Sequence, residues 1–241
     1  MQPEDYGKLR EVAIFSELSE PTLAALTKGA FLQRFPSQTI LFRQGDLPDF
    51  LYLLLEGSVQ FTGTAPDSRE TVVEILKPVD AFMPAAVLTN TPYLVSAKVV
   101  HPARILMIPA AMVQRTITQD AQLSLAMLAS ISRQYRALLR QVKDLKLRTS
   151  TQRLGCYLLA LAEENGADGS VELPHDKRLI AARLGMTPES LSRAFSSLRN
   201  MGVEVHGHRI RLNDVGKLRQ YCMPDRLIDQ SEPDLKVVTA A

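Results

Sequence analysis

The hydrophobic pattern predicts a β-rich first half. From about Phe31 to Pro109, apolar residues fall in short runs rich in β-branched, aromatic or leucine side chains, which is typical of strands. The predicted strands are Thr39–Phe42, Phe50–Leu55, Ser58–Thr64, Thr71–Leu76 and Arg104–Ile108. Gly57 separates two of these runs, so we expect it to take the left-handed position of a tight hairpin. Many short strands at this spacing predict a sandwich or a β-roll.

A long helix follows the strands. Between Thr118 and Leu147 there is no glycine or proline, and apolar residues recur at alternating separations of three and four. These positions match the a/d repeat of a coiled coil and predict a dimer seam. The seam consists of Leu128, Ile131, Tyr135, Leu138, Val142 and Leu145. Thr118 or Asp120 is expected to cap the helix. The alternative is one amphipathic helix that packs on its own domain.

The segment from Asp176 to Met201 has the spacing of a helix-turn-helix. A small residue, Ala181, lets two helices approach, and Gly185 takes the left-handed turn four residues later. Leu191 is then placed to pack in the angle between the helices. Thr187 is expected to cap the second helix, which we predict to extend to Met201.

The second helix separates into two faces. The buried face is predicted to consist of Leu191, Ala194, Phe195 and Leu198, and the exposed face of Glu189, Ser192, Arg193 and Ser196. A solvated face with an ordinary Glu–Arg pair is the alternative. The exposed side chains nevertheless have hydrogen-bonding ends suited to base edges: arginine binds guanine with two bonds, and glutamate accepts from cytosine.

The flanking segments complete a winged domain. Alternating residues from Val203 to Leu212 around Gly207 predict a hairpin, the wing. Before the helix-turn-helix we expect a polar hinge at Arg148–Gln152, a helix at Leu154–Asn165 and a strand at Ser170–Leu173. The tail after Cys222 is expected to be irregular. Between residues 176 and 211 there are seven Lys/Arg and three Asp/Glu, so positive charge gathers where phosphates would lie.

Composition limits the function classes. The 241 residues carry a formal charge of +2, which is ordinary for a globular chain. No apolar run reaches the roughly 18 residues of a membrane span, and the N-terminus lacks a signal peptide, so we expect a cytoplasmic protein without membrane contact. The two cysteines, Cys156 and Cys222, form no C-x-x-C pair. This spacing argues against a disulfide framework and an iron–sulfur cluster.

The predicted fold class is therefore α+β. The expected divisions are a β-roll sensor at 1–117, a dimerisation helix at 118–147, a winged helix-turn-helix at 148–223 and an irregular tail at 224–241. A β-roll of this kind could also serve as an interaction module without DNA binding, but such a module would lack the Ala181, Gly185 and Leu191 spacing. Catalysis is not expected, because His175-Asp176 and Glu163-Glu164 have no nucleophile elbow, phosphate loop or metal cluster beside them.

Several motifs resemble those of the Crp/Fnr superfamily. Phe42–Asp46 (FRQGD) and Leu53–Val59 (LLLEGSV) look like its β-roll signatures, and Pro188–Arg193 (PESLSR) looks like its E-x-x-S-R reading motif, in the Fnr and Dnr form. The resemblance spans almost the whole chain. It implies that Glu189, Ser192 and Arg193 of a homodimer read a two-fold site with TTG-type half-sites, with RNA polymerase as a further partner. The predicted contacts to double-stranded DNA are Thr187, Glu189, Ser190, Ser192, Arg193, Ser196, Arg199 and Arg209.

The effector segments depart from the family's cyclic-nucleotide pattern. Where the family has a Gly-Glu pair and an Arg-Ser/Thr segment, this chain has residues 82–86 (FMPAA) and 94–97 (LVSA), so the Glu is missing and Val95 replaces the Arg. A buried phosphate would face no cation, and cyclic AMP is not expected. The four cysteines of the Fnr cluster are also absent. What remains predicts an apolar effector pocket lined by Phe82, Met83, Pro84, Leu88, Val95, Ser96, Leu123 and Met127.

An apolar pocket of this kind is similar to the Dnr/NnrR subgroup, which the resemblance associates with haem and nitric oxide. His101 is the single histidine of the sensor half and the candidate haem ligand, although it precedes Pro102 where we expect a solvated loop. Ordinary core packing is the alternative for the Met and Leu side chains. A regulator that needs no effector and one that senses an apolar small molecule are also consistent with these residues. Any effector is expected to reorient the reading helices through the dimer helix and hinge.

Overall fold

The computed structural model describes residues 9–10, 12, 14–16, 18–76, 78, 80–164 and 169–229. The described residues form two compact units, one up to Tyr135 and one from Arg136. None of the described helices is both long and apolar enough to cross a membrane.

The first unit is built on an antiparallel sheet. Its strands are β1 (Phe31–Phe35), β2 (Ile40–Phe42), β3 (Phe50–Thr64), β4 (Glu70–Leu76), β5 (Asp80–Phe82) and β6 (Ser96–Pro109). Its helices are α1 (Glu20–Thr27), α2 (Pro84–Thr89), α3 (Ala110–Ile117) and the start of α4 (Ala121–Leu147). The strand order is β1–β6–β3–β4, with β2 paired to β6 and β5 paired to β3. The long pair β3–β6 is therefore the centre of the unit.

Gly57 does not form the predicted hairpin. It lies inside β3, where the pairing register with β6 shifts on both sides of it, and its φ is +88°. A single strand therefore replaces the two predicted runs. Gly57 was correctly expected to have a left-handed backbone, but this backbone serves a bulge instead of a turn. The expected loop at His101 is also wrong, because His101 and Pro102 lie within β6.

Two apolar clusters form because neighbouring side chains of a strand point to opposite faces of the sheet. In β3, Leu51, Leu53 and Leu55 pack in one cluster with side chains from α3 and α4. Tyr52 and Leu54 point the other way, into a second cluster that contains five buried aromatic rings. The first cluster fixes the start of α4 to the sheet, and the second fills the interior of the β-roll.

The long helix α4 begins at Ala121. Asp120 caps it, since the backbone N–H of Leu123 donates to Asp120 Oδ1 at 3.0 Å, whereas Thr118 ends the preceding helix α3. Five of the six predicted seam side chains are exposed in the single chain, and Ile131 is half-buried. The exposed fractions reach 51% for Leu128, 60% for Tyr135 and 53% for Leu138. The seam is thus an apolar stripe that the described residues leave largely exposed.

The second unit has the elements of a winged helix-turn-helix. It contains α5 (Ser150–Glu164), α6 (Lys177–Arg183), α7 (Pro188–Leu198), a 3₁₀ turn (Arg199–Met201), α8 (Val215–Cys222) and α9 (Arg226–Asp229). Its strands are β7 (Ser170–Glu172), β8 (Val203–His206) and β9 (Arg209–Leu212), in the order β7–β9–β8. The hairpin β8–β9 turns at Gly207, which has a φ of +66°, so the wing is confirmed.

Two predictions in this unit are wrong, those of the polar hinge and of a wholly irregular tail. The helix α5 begins at Ser150, four residues before the expected Leu154, so most of the predicted hinge is helical. Thr149 caps it reciprocally: Gln152 N–H donates to Thr149 Oγ1 at 3.2 Å, and Thr149 N–H donates to Gln152 Oε1 at 3.0 Å. Asn165, the predicted end, lies outside the described residues. The tail is not wholly irregular, since it includes α9.

The two cysteines meet in the core of the second unit. Cys156 on α5 and Cys222 at the end of α8 are both buried and unbridged, and Cys156 Sγ–H donates to the Cys222 carbonyl at 3.7 Å. Gly155 allows this approach, because a Cβ added there would lie 2.1 Å from Cys222 Sγ. The cysteines therefore act as small apolar side chains where α5 and α8 pack closely.

The bulge at Gly57 gives a stability prediction. In Gly57→Ala the new Cβ would lie 2.3 Å from the Pro102 carbonyl oxygen and the backbone would keep its left-handed strain. We expect the free energy of unfolding of the first unit to fall by at least about 2 kcal/mol, measured by urea denaturation. Gly63→Ala in the same strand is the control: its Cβ would lie 3.5 Å from Val73, an ordinary contact. Equal stability of the two variants would contradict this interpretation.

Candidate nucleic-acid interface

The helix-turn-helix is fixed by a cap at the start of each helix and a glycine between them. Asp176 Oδ1 accepts from Leu179 N–H at 2.8 Å and so caps α6. Thr187 Oγ1 accepts from Ser190 N–H at 3.2 Å and caps α7. Gly185 has a φ of +62° in the turn, as predicted, and Ala181 and Leu191 are buried between the helices. The sequence spacing therefore identified the motif correctly.

The faces of α7 are those that the sequence predicts. Leu191, Ala194, Phe195 and Leu198 are buried. The predicted DNA contacts are exposed, apart from half-buried Ser190; the exposed ones are Thr187, Glu189, Ser192, Arg193, Ser196, Arg199 and Arg209. The apolar face fixes the helix to the domain, and its first two turns offer the polar side chains to solvent. A helix presented in this way can enter a major groove by its N-terminal end.

Hydrogen bonds organise the first turn of α7. Arg193 Nη2 donates to Ser190 Oγ at 3.0 Å, and Thr187 Oγ1 donates to the same oxygen at 3.2 Å. At Glu189, a backbone hydrogen bond and the nearby Arg193 charge hold the pKa below its usual range. Glu189 is therefore ionised at neutral pH and can accept from a base amino group, while Arg193 remains a donor.

Cations flank the reading helix. Lys177 Nζ lies 5.6 Å from the centre of the Phe195 ring, which holds this charge beside α7. A groove of about 200 Å³ lies between α6, α7 and the wing, and its lining includes Lys177, Arg178 and Arg199. A second groove of about 470 Å³ is lined by Ser170, His206, Arg209 and Arg211. Positive side chains line both grooves, as expected of a surface that contacts phosphates.

Sequence reasoning missed one residue that supports this interface, Arg153. It lies on α5 with 7% of its surface exposed. Its Nε donates to the Leu184 carbonyl at 3.0 Å, and its Nη1 donates to the Arg148 carbonyl at 2.9 Å. One buried side chain thus joins the end of α6 to the junction between α4 and α5. The available signal was a single basic residue next to the apolar run from Leu154 to Leu161.

Comparisons with known proteins agree with this geometry. Residues 32–120 match the family model of the cyclic nucleotide-binding domain, and residues 152–221 match the Crp-like helix-turn-helix domain. A protein of Silicibacter pomeroyi DSS-3, described as a cAMP-binding regulatory protein, is 33% identical in sequence with a TM-score of 0.58. The similarity covers 90% of this chain and 98% of that one. The chain belongs to the Crp/Fnr family.

Two further relatives are regulators of the same type. The CRP-like cAMP-activated global transcriptional regulator of Mycobacterium tuberculosis is 26% identical over 87% of this chain and 96% of its own length. The structure of DNR from Pseudomonas aeruginosa is 27% identical, with a TM-score of 0.52, over 92% of this chain and 99% of that one. This Crp/Fnr protein is therefore a DNA-binding transcription regulator and not an enzyme.

The residues of the predicted effector pocket in this Crp/Fnr regulator do not pack together around one cavity. Phe82, Met83 and Val95 pack with the aromatic cluster of the roll. Leu88, Leu123 and Met127 pack with the leucine cluster on the opposite face of the sheet. Pro84 is buried at the start of α2, and Ser96 Oγ accepts from Gln44 N–H at 2.9 Å. The structure thus divides the predicted set between two packed clusters, as expected for ordinary core packing.

The candidate haem ligand, His101, lies on β6 in a register separate from that of Phe82. His101 is exposed and its Nδ1 lies 2.7 Å from the buried Ser58 Oγ. Met107, which pairs with Tyr52 beside Phe82, lies six residues further along β6, about 20 Å at the usual rise of a strand. Elsewhere in the described chain, no cluster of three His, Cys, Asp or Glu side chains could hold a metal ion. Haem binding through His101 stays a prediction.

Arg193 provides the direct test of this interface. Arg193→Ala removes a donor pair from the reading face, so we expect specific DNA affinity to fall by about 1–3 kcal/mol, with relaxed preference at one base pair. The measurement is a binding titration against the selected site and its single-base variants. Arg219→Ala is the matched control: it also loses one positive charge, but Arg219 lies on α8 paired with Glu163 at 2.7 Å. Comparable losses in both variants would mean that Arg193 contributes charge alone.

Proposed function

We propose that this protein is a homodimeric regulator that reads a two-fold DNA site with α7 of each copy. The observation that carries the proposal is the exposed set Glu189, Ser192 and Arg193 in the first two turns of α7. In the E-x-x-S-R form of the motif, this set favours TTG-type half-sites about one helical turn apart. We expect such a regulator to act on chromosomal DNA in the cytoplasm, with RNA polymerase as a further partner.

The uncovered stripe on α4 supports the dimer. Its apolar side chains repeat at the coiled-coil spacing, and water would contact them in an isolated chain. A second copy of the same helix offers an identical stripe and covers both. Two reading helices held in this way bind two half-sites together, so the second contact benefits from a high effective concentration.

The seam can be tested with one substitution and a matched control. Leu138→Asp places a charge in the stripe, and we expect loss of the dimer together with a fall of at least about 100-fold in operator affinity. Light scattering and binding titration measure the two effects. Leu147→Asp on the same helix makes the same chemical change at a residue that is 69% exposed and outside the repeat, and it should leave both properties intact. A monomeric Leu138→Asp variant with undiminished operator affinity would contradict the proposal.

We further propose that cyclic AMP is not the effector. Val95 is half-buried against the aromatic cluster where the family places a phosphate-binding arginine, and Leu94 is 84% exposed. The ring of Phe42 stacks on Tyr93 with centroids 3.8 Å apart, and Tyr52 stacks on Phe82 at 5.2 Å. A cyclic phosphate would meet apolar groups, and its burial without a cation is unfavourable. The proposal separates this chain from relatives whose names include cAMP.

The same packing favours a second candidate, a regulator that needs no effector. All five rings of the cluster are buried, with exposed fractions from 1% to 6%; they belong to Phe42, Tyr52, Phe61, Phe82 and Tyr93. Burial raises the pKa of Tyr52 to about 12, so its hydroxyl stays neutral. These five rings fill the interior of the β-roll. An apolar effector would have to displace one of them.

Effector dependence is measured by DNA affinity. We expect saturating cyclic AMP to change operator affinity by less than about two-fold, because a ligand shifts an equilibrium only through differential affinity. The M. tuberculosis cAMP-activated regulator is the positive control. The effector-independent candidate predicts equally flat titrations with haem, alone and with nitric oxide, whereas the haem hypothesis predicts a gain. A gain of ten-fold or more with cyclic AMP would overturn the proposal, and a gain with haem and nitric oxide would exclude the effector-independent candidate.

A further inference from the structure

The C-terminal segment contacts the junction between α4 and α5 through a buried ion pair. Arg148 lies in the two-residue break between these helices, and only 6% of its side chain is exposed. Its Nη1 and Nη2 donate to the two carboxylate oxygens of Asp229 at 2.7 Å and 2.6 Å. Asp144 on the last turns of α4 accepts from the same guanidinium at 2.9 Å. A paired geometry of this kind fixes orientation as well as charge.

Asp229 is itself held in place. The helix α9 is short, but Asp225 N–H donates to Asp229 Oδ2 at 2.8 Å and closes the turn around the carboxylate. Asp225 also accepts from Lys143 Nζ at 3.3 Å, which ties the same segment to α4 a second time. The carboxylate of Asp229 is therefore presented to Arg148 by a closed turn instead of by a loose chain end.

The junction is connected to the reading motif by Arg153. The backbone carbonyl of Arg148 accepts from Arg153, and the other side of the Arg153 guanidinium donates to Leu184 at the end of α6. Leu145 of α4 lies against Gly185 in the turn of the motif, where a Cβ would come within 2.5 Å of its side chain. Displacement of the Arg148 backbone would therefore move the turn that places α7.

From these contacts we propose that Asp229 is a positioning residue for DNA reading. It fixes Arg148, Arg148 fixes the junction, and Arg153 transmits the junction geometry to the turn before α7. Asp229 touches no predicted DNA contact, so its effect on DNA operates through position alone. The inference rests on the proposed use of α7 as the reading helix.

The primary test is Asp229→Asn in the full-length protein. Asparagine keeps the shape of aspartate but replaces one acceptor with a donor group that faces the guanidinium. We expect specific operator affinity to fall about ten-fold, within the usual range for coupling between sites. Affinity for non-specific DNA should not fall, and the slope of affinity against salt should not change, because the phosphate-binding cations are intact. Asp229→Glu, which keeps the charge, should recover part of the loss.

Glu163→Gln is the matched control. It also removes one negative charge from the second unit, but Glu163 pairs with Arg219 on the surface with 61% of its side chain exposed. Loss of a negative charge alone strengthens DNA binding slightly, which is opposite in sign to the expected effect of Asp229→Asn. Equal behaviour of the two variants would overturn the proposal.

A second variant separates position from stability. Arg148→Met combined with Asp144→Leu and Asp229→Leu removes all three charges of the cluster together, a replacement that commonly preserves or raises stability. We expect this variant to fold, by circular dichroism and thermal melting, and still to lose specific affinity. Native affinity in the folded triple variant would overturn the proposal. If the unchanged protein binds no specific site, the proposed function fails first; if it binds and Asp229→Asn binds equally well, only the positioning role fails.

Discussion

A buried arginine, Arg153, is the contact on which the DNA-binding half depends. Its guanidinium donates one hydrogen bond to the carbonyl of Arg148 and another to the carbonyl of Leu184. Both carbonyls belong to helix ends, which have no partner within their own helix. An arginine with 7% of its surface exposed is tolerated because these acceptors satisfy it. The same bonds hold the turn before α7, so the reading helix is fixed relative to the last turns of α4.

The rest of the unit follows from that fixed turn. Thr187 caps α7, the apolar face of α7 packs on α5, and the polar face keeps Glu189 and Arg193 in solvent. The wing adds cations beside them. Rigid presentation matters because a base-edge contact has a narrow geometry, whereas a phosphate contact tolerates displacement. Specificity is therefore the property most sensitive to the junction, and general attraction to DNA is the least sensitive.

Local patterns predicted the DNA-binding half well. The Ala181, Gly185 and Leu191 spacing, the faces of α7 and the wing around Gly207 all depend on neighbours close in sequence. The predictions that failed concern contacts between residues that are distant in sequence. Gly57 has a left-handed backbone in a hairpin and in a bulge alike, and only the pairing of β3 with β6 distinguishes them. The tail was expected to be irregular because its partner, Arg148, lies 81 residues away. The pocket set was divided because strand register decides which face each side chain enters.

The most direct test of the central claim is selection of DNA from a random pool by the purified protein. The account predicts enrichment of a two-fold sequence with TTG-type half-sites whose centres lie about one helical turn apart, or roughly 10 base pairs. Two-fold symmetry of the selected sequence would indicate that a dimer binds, and the TTG-type half-sites would indicate that α7 reads the bases. Enrichment of a single asymmetric site, or of no sequence at all, would contradict the account.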